Sequence, residues 1–170
     1  MQVLRCTLKL LNELGVAPEE VDGSAGALGQ WHANLLRFAR RKCVLFTNDL
    51  TLYSVFVPGL RKPEFQRIVD VFGQAVFRSL RLDGLSQNQI EAVLDEIGEI
   101  HIAKTNNRSV LGSMNDLAYQ LEWMISSYGG VEMSSIDDIN HQLNRIPMSA
   151  IEPHIYSIDA LRDRLVGYGT

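Results

Sequence analysis

Three strand-like segments follow one another between Trp31 and Val57, and they constrain the fold more than any other part of the sequence. The segments WHANLLRFA, CVLFT and LTLYSVFV are rich in aromatic and aliphatic residues, and they are separated by the charged turn ARRK and by Asn48-Asp49. Such residues favour strands, and short polar turns join strands that are neighbours in a sheet. The sequence therefore predicts a three-stranded antiparallel meander, which Pro58-Gly59 ends.

One or two further strands are predicted outside the meander. Residues 2–6, QVLRC, have the composition of a short strand, and residues 99–104 alternate, with Ile100 and Ile102 on one face. Between these strands lies the segment 16–30, which contains three glycines and one proline. We expect this segment to be a flexible Gly-rich loop rather than a linker between domains, because it lies too near the N-terminus to separate two domains.

Apolar residues at helical spacing predict about five helices. One begins at Pro63, and Ser86 with Gln89 forms a capping-box pattern ahead of another. The longest has an apolar stripe that Gly129-Gly130 end: Val110, Met114, Leu117, Ala118, Leu121, Ile125 and Tyr128. Shorter helices are expected after Thr7, Ser135 and Ser157, each of which is a typical N-cap residue. The predicted fold is a single α+β domain over residues 1–170, in which the helices cover a mainly antiparallel sheet.

The two cysteines, Cys6 and Cys43, both lie in apolar, strand-like segments. Buried free thiols are therefore expected, and a reducing cytoplasm suits them best. The N-terminal residues lack the features of a secretory signal, and no apolar run approaches the length of a membrane span. We expect a cytoplasmic protein without a membrane partner.

Charge is distributed unevenly between the two halves of the chain. The formal net charge is −4, but residues 1–85 have 11 Lys and Arg against 8 Asp and Glu, whereas residues 86–170 have 5 against 12. Arg37, Arg40, Arg41 and Lys42 form a basic turn in the first half. The turn is a candidate nucleic-acid contact or simply a solvated hairpin end, and the acidic total argues against nucleic acid as a partner.

The stretch KTNNRSVLGSMND joins the predicted strand 99–104 to the longest helix. It holds five consecutive polar residues: Thr105, Asn106, Asn107, Arg108 and Ser109. A helix start presents unpaired N–H groups and partial positive charge, which favour a phosphate or another anion. One side chain suffices to cap a helix, so the surplus of polar groups predicts a site for a small anionic ligand. A helix cap without a ligand is the alternative, because Asn and Ser also satisfy the backbone locally.

Three other residues are candidate contributors to such a site. His32 and Asn34 are two residues apart on one face of a predicted strand, which makes His32 a candidate general base. A histidine bonded to backbone at a sheet edge is the alternative interpretation. Arg145 lies at a predicted helix end, where it complements the helix dipole, and it is also a candidate to bind the same anion as Arg108. The four histidines lack metal-ligand spacing, and we expect no metal and no cofactor.

Four blocks of the sequence, WHANLL, RRKCVLFTND, KTNNRSVLGSMND and LNRIPMSAI, resemble a family of uncharacterised bacterial proteins that carries a domain-of-unknown-function label. The resemblance covers most of the chain and implies a bacterial, cytoplasmic, stand-alone domain. It implies no catalytic residue. Two functions from different classes therefore stay open: a protein that binds a small anionic ligand, and a protein–protein interaction module of the accessory or toxin–antitoxin type.

Overall fold

The computed structural model describes residues 2–22 and 26–168, and this part of the chain forms five strands and seven α-helices. The strands are β1 Gln2–Cys6, β2 Trp31–Phe38, β3 Arg41–Asn48, β4 Ser54–Val57 and β5 Ile100–Lys104. The helices are α1 Leu8–Leu14, α2 Lys62–Gln66, α3 Ile68–Leu82, α4 Gln87–Ile97, α5 Arg108–Tyr128, α6 Ile136–Leu143 and α7 Ser157–Arg164. Short 3-10 turns occupy Val131–Met133, Ser149–Ile151 and Val166–Tyr168.

The strands form one mixed sheet in the order β4-β3-β2-β1-β5. The predicted meander is confirmed, because β2, β3 and β4 pair antiparallel. The expectation of a mainly antiparallel sheet holds only in part, since β1 pairs in parallel with both β2 and β5 and the sheet is mixed. Hydrophobic alternation identifies a strand but does not specify its direction, and here the direction follows from the long connections that lead into β2 and β5.

The first face of the sheet is covered by α1, α3, α4 and α7. Its apolar cluster contains Leu4 of β1, Ala33 of β2 and Phe46 of β3. Trp31 contacts Phe72 of α3 edge-on, with 5.2 Å between the ring centroids. These strand residues alternate with those of the opposite face, as the two-residue period of a strand requires.

The second face is covered by α5 and α6. Cys43 and Leu45 of β3 and Phe56 of β4 pack there against the apolar stripe predicted for the longest helix. Toward β1 the same face becomes polar and carries Arg5 and His32, both buried. The two faces therefore differ in composition, and the polar part of the second face lies next to the start of α5.

Helix boundaries and caps differ from the prediction at three points. Ser157, expected as an N-cap, is the first residue of α7, whose N-cap is Tyr156. The helix predicted to begin at Pro63 is split into α2 and α3 at Arg67, whose φ of −117° and ψ of 36° are not helical. Thr7 is the N-cap residue of α1, but its hydroxyl makes no capping bond. The Ser86–Gln89 capping box is confirmed, with Ser86 Oγ accepting from the Gln89 amide at 3.2 Å. The described helices number seven rather than about five, partly because of the split.

The loop predicted to be flexible, 16–30, is described except for residues 23–25, which lie outside the described residues. Its first part is attached to the outer edge of β5, where the Glu19 amide donates to the Ile102 carbonyl at 2.7 Å. Its last part enters the core through Leu28, which is buried. Within residues 2–22 and 26–168, no helix has both the length and the apolar composition that a bilayer crossing requires.

Candidate functional site

The predicted polar loop lies at the carboxyl ends of the neighbouring parallel strands β1 and β5. Cys6 pairs with Ala33 on one side and with Lys104 on the other, which places the following residues, Thr7, Asn34 and Thr105, level with one another. The Thr7 hydroxyl donates to Asn34 Oδ1 at 2.8 Å, and the Thr105 amide donates to the Cys6 carbonyl at 3.3 Å. The structure thus brings Asn34 and the start of the 105–109 loop to the same level of the sheet.

The two helices that follow these strands leave on opposite sides. Leu10 of α1 packs on the first face of the sheet, and Val110 of α5 packs on the second. The two helices therefore diverge from the carboxyl ends of β1 and β5 to opposite faces of the sheet. In open α/β sheets, the crevice outside the carboxyl ends of parallel strands is the usual position of a ligand.

Asn107 is the N-cap of α5. Its Oδ1 accepts from the amides of Ser109 and Val110, both at 3.1 Å, so two of the free N–H groups at the helix start are already satisfied. Asn106 and Arg108 are exposed. Only one of the five polar residues is therefore used to cap the helix.

Two cations flank this helix start. The side chains of Lys104 and Arg108 are exposed, and neither has an ion-pair partner among the residues that the structure describes. A 21-residue helix adds the partial positive charge of its N-terminus at the same place. The helix start and Arg108 favour an anion, whereas Lys104 also lines a cavity together with three carboxylates, Glu19, Glu20 and Asp22.

His32 lies deeper on the second face, in a row of polar side chains that crosses the sheet. It is opposed by Thr47 on β3 and by Arg5 on β1, and Thr47 Oγ1 lies 2.8 Å from Ser54 Oγ. The exposed fraction of His32 is 0%, and neither ring nitrogen has a hydrogen-bond partner among the described residues. Burial, together with the nearby charge of Arg5, lowers the pKa of His32 to about 4, so the ring is neutral at pH 7.

Arg5 connects this row to the strand ends and was missed by the sequence analysis. Its Nε donates to Gln30 Oε1 at 2.6 Å and its Nη1 donates to the Lys104 carbonyl at 2.9 Å. A permanently charged residue inside the otherwise apolar strand QVLRC was the available signal, because arginine is rarely buried without a specific partner.

Arg145 does not lie at the 105–109 loop, where the sequence made it a candidate contributor. The preceding residue, Asn144, bonds to the backbone of Ser54 at the start of β4, which is the opposite edge of the sheet from Arg108. Arg145 Nη1 donates to Asp83 Oδ1 at 3.1 Å, and Tyr53 donates its hydroxyl to the other oxygen of Asp83 at 2.7 Å. The structure does not bring Arg145 and Arg108 together.

In residues 2–22 and 26–168, no group of three or more His, Cys, Asp or Glu side chains is arranged to hold a metal ion. His101, one of the four histidines, instead contacts Glu19, which raises its pKa mainly through their hydrogen bond. Cys6 and Cys43 are both free and buried, and burial raises the pKa of the Cys6 thiol to about 12. Neither thiol is therefore ionised at pH 7.

Comparison with known proteins identifies a family rather than an activity. The family model for a domain of unknown function, DUF6933, matches residues 3–160. No curated protein and no solved structure matches the chain.

Proposed function

This chain belongs to the DUF6933 family of domains of unknown function, and we propose that it binds a small anionic or phosphate-bearing ligand at the carboxyl ends of β1 and β5. The contributing groups are Thr105, Asn106, Asn107, Arg108 and Ser109, with Asn34 at the back of the site. The proposal concerns binding, and it requires no metal or cofactor.

One observation carries the proposal: Asn34, Thr7 and Thr105 lie level at the ends of parallel strands from which helices diverge to opposite faces. The position is the one that open α/β sheets use for ligands. Arg108, which has no ion-pair partner among the described residues, and the N-terminus of α5 give it the sign of charge that an anion needs. The cap formed by Asn107 leaves the Asn106 and Arg108 side chains free to bind.

His32 stays a candidate general base in this proposal, but catalysis would require an opening of the structure. Its side chain is fully buried, so a ligand at the surface does not reach it in the described conformation. Asn34, which is 7% exposed, lies two residues after His32 on β2 and is level with Thr105. Arg145 would contribute only to a separate anion site, since Asp83 holds its guanidinium at the opposite edge of the sheet.

A thermal-shift titration with phosphate, sulfate, pyrophosphate and ATP tests the site. A ligand that binds only the folded protein stabilises it by about 2.7 kcal/mol at a concentration of 100 Kd, so we expect at least one anion to raise the Tm of the wild type. Arg108→Ala should remove that rise, and Asn106→Ala should reduce it. Arg81→Ala, which removes an exposed arginine from the far side of α3, is the matched control and should keep it.

The proposal fails if no anion raises the Tm of the wild type. It fails equally if the rise is the same in Arg108→Ala as in Arg81→Ala, because the anion would then act at another place on the protein.

A second candidate function, binding of a protein partner, is favoured by the outer face of α5. Tyr119 and Trp123 are one helical turn apart and are 63% and 67% exposed. Large aromatic side chains are enriched at protein interfaces and are seldom so exposed without one. Sedimentation velocity over a range of concentrations tests self-association through this face, which Trp123→Ser should weaken. A monomer at every concentration would remove self-association as the explanation.

The reducing cytoplasm remains our expected location, and two free, buried thiols accord with it.

A further inference from the structure

A basic cavity lies on the first face of the sheet, beyond the site proposed above. It has a volume of about 970 Å³, which is at the upper end of the range of small-molecule sites. It is formed between the β2–β3 turn, the end of α1 and the segment that leads into α2. Its charged lining residues are Glu13, Arg40, Arg41, Lys42, Arg61 and Lys62.

Backbone and side-chain contacts hold the walls of this basic cavity together. The Leu60 amide donates to the Lys42 carbonyl at 2.9 Å, which fixes the segment after β4 beside the start of β3. Lys42 Nζ donates to Glu13 Oε1 at 2.6 Å and so ties α1 to the same place. Residues from three separate parts of the chain therefore converge on one concave surface.

The charges around the cavity are mostly uncompensated. Five cationic side chains line it against one carboxylate, Glu13, which is paired with Lys42. Arg41 is paired with Glu132 from outside the lining. Arg40, Arg61 and Lys62 have no ion-pair partner among the residues that the structure describes. Three free cations are more than enough to balance one phosphate dianion.

The cavity also offers apolar contacts to the part of a ligand that carries no charge. Leu60 and Phe65 are buried members of the first apolar cluster, and Leu14 packs against that cluster while half-buried. A ligand made only of phosphate would leave this side of the cavity unused. Charge and apolar lining together fit a ligand with both kinds of surface.

We infer that the basic cavity binds a phosphomonoester of an apolar or aromatic group, with the phosphate at Arg40, Arg61 and Lys62 and the organic group against Leu14, Leu60 and Phe65. A small ligand fits better than a nucleic-acid strand, because the cations line a concave surface and not a protruding one. The net charge of −4, concentrated in the second half of the chain, also repels a long polyanion.

Isothermal titration calorimetry with phenyl phosphate, inorganic phosphate and a single-stranded oligonucleotide tests the inference. Phenyl phosphate should bind saturably and about tenfold more tightly than inorganic phosphate, because its ring buries apolar surface. The double variant Arg40→Ala/Arg61→Ala should weaken phenyl phosphate binding by about tenfold or more, because charge-assisted bonds to phosphate are lost. Leu14→Ala should reduce the preference for phenyl phosphate over inorganic phosphate.

The matched control is Arg67→Ala/Arg81→Ala, which removes two exposed arginines outside the lining and should change the affinity by less than about twofold. Arg108→Ala removes the contribution of the site at the carboxyl ends of β1 and β5, the strand-end site, so the phenyl phosphate binding that remains in this variant should come from the basic cavity and be lost on adding Arg40→Ala/Arg61→Ala. The effect of Arg108→Ala on the thermal shifts with the other anions then tests the strand-end site separately. Both double variants alter exposed residues, and circular dichroism should show that each is folded.

Three outcomes would overturn the inference. One is the absence of saturable phenyl phosphate binding, and another is an equal loss of affinity in the two double variants. The third is an oligonucleotide that binds more tightly than phenyl phosphate, with a steep dependence on salt and a loss on Arg40→Ala/Arg61→Ala. That result would identify the basic turn as a nucleic-acid contact instead.

Discussion

Two groups of buried polar side chains lie in this protein, and they differ in whether their hydrogen bonds are satisfied. Asp83 accepts from Tyr53 and Arg145, and Ser79 Oγ lies 2.7 Å from the Tyr53 hydroxyl. His32 is buried just as deeply, yet neither of its ring nitrogens has a partner among the described residues. A satisfied buried network stabilises the fold that it connects, whereas an unsatisfied polar group costs free energy.

The difference also separates structure from candidate function. The Asp83 network connects Tyr53, just before β4, with the end of α3 and with Arg145, just after α6, and β4 is the opposite edge of the sheet from β5. His32 lies in the polar row that leads toward the strand-end site. Groups that reduce stability are commonly retained where they serve a function. His32 is therefore a better candidate for a functional residue than Asp83.

The largest effect is expected from removing the central carboxylate of the satisfied network. Asp83→Leu should lower the free energy of unfolding by about 4 kcal/mol, because it removes the buried carboxylate that accepts from both Tyr53 and Arg145 and leaves the charge of Arg145 uncompensated. Urea denaturation followed by circular dichroism measures the change. Asp83→Asn keeps an acceptor for Tyr53 and should lose less. If Asp83→Leu were as stable as the wild type, the network would not be a stabilising one.

A smaller effect is expected from acid, and it depends on His32. The folded-state pKa of His32 is about 4, below the ordinary value of 6.5, so between these pH values the unfolded chain binds a proton that the folded protein does not. Stability should therefore fall as the pH decreases from 6.5 toward 4, by about 3 kcal/mol in total.

His32→Leu should remove most of this pH dependence and be near neutral or stabilising at pH 7, because it deletes an unsatisfied buried group. Urea denaturation at pH 7.5, 6, 5 and 4 compares the two proteins. His101 titrates with the opposite sign, since Glu19 raises its pKa, but it is present in both proteins and cancels in the comparison. An equal loss of stability in both proteins would show that His32 is not the acid-sensitive group.

The smallest effect is expected from an exposed ion pair close to the satisfied network. Arg78 donates to both oxygens of Asp137, at 2.8 and 2.6 Å, but its side chain is 68% exposed. Solvent screens such pairs, so Arg78→Ala should change the urea midpoint far less than Arg145→Ala, which breaks a pair to a carboxylate that is 3% exposed. Equal changes in the two variants would mean that burial does not decide the strength of these pairs.

Local sequence patterns determined much of this fold. The stripe from Val110 to Tyr128 identified α5, and Gly129, with a φ of 93°, ends that helix as predicted. The alternation in residues 31–57 identified the meander, and Ser86 with Gln89 identified the start of α4. These features depend on residues that are close together in the chain, so a period or a capping pair is sufficient to recognise them.

The tertiary structure alone decided which distant residues meet. It placed β1 in parallel between β2 and β5, and thereby brought Asn34 level with Thr105, whereas it held Arg145 beside Asp83 at the other edge. It also brought Arg61 and Lys62 to the basic turn that the sequence showed only as a run of charges. Strand direction and the convergence of separate segments depend on how the whole core packs. A local sequence pattern therefore does not predict them.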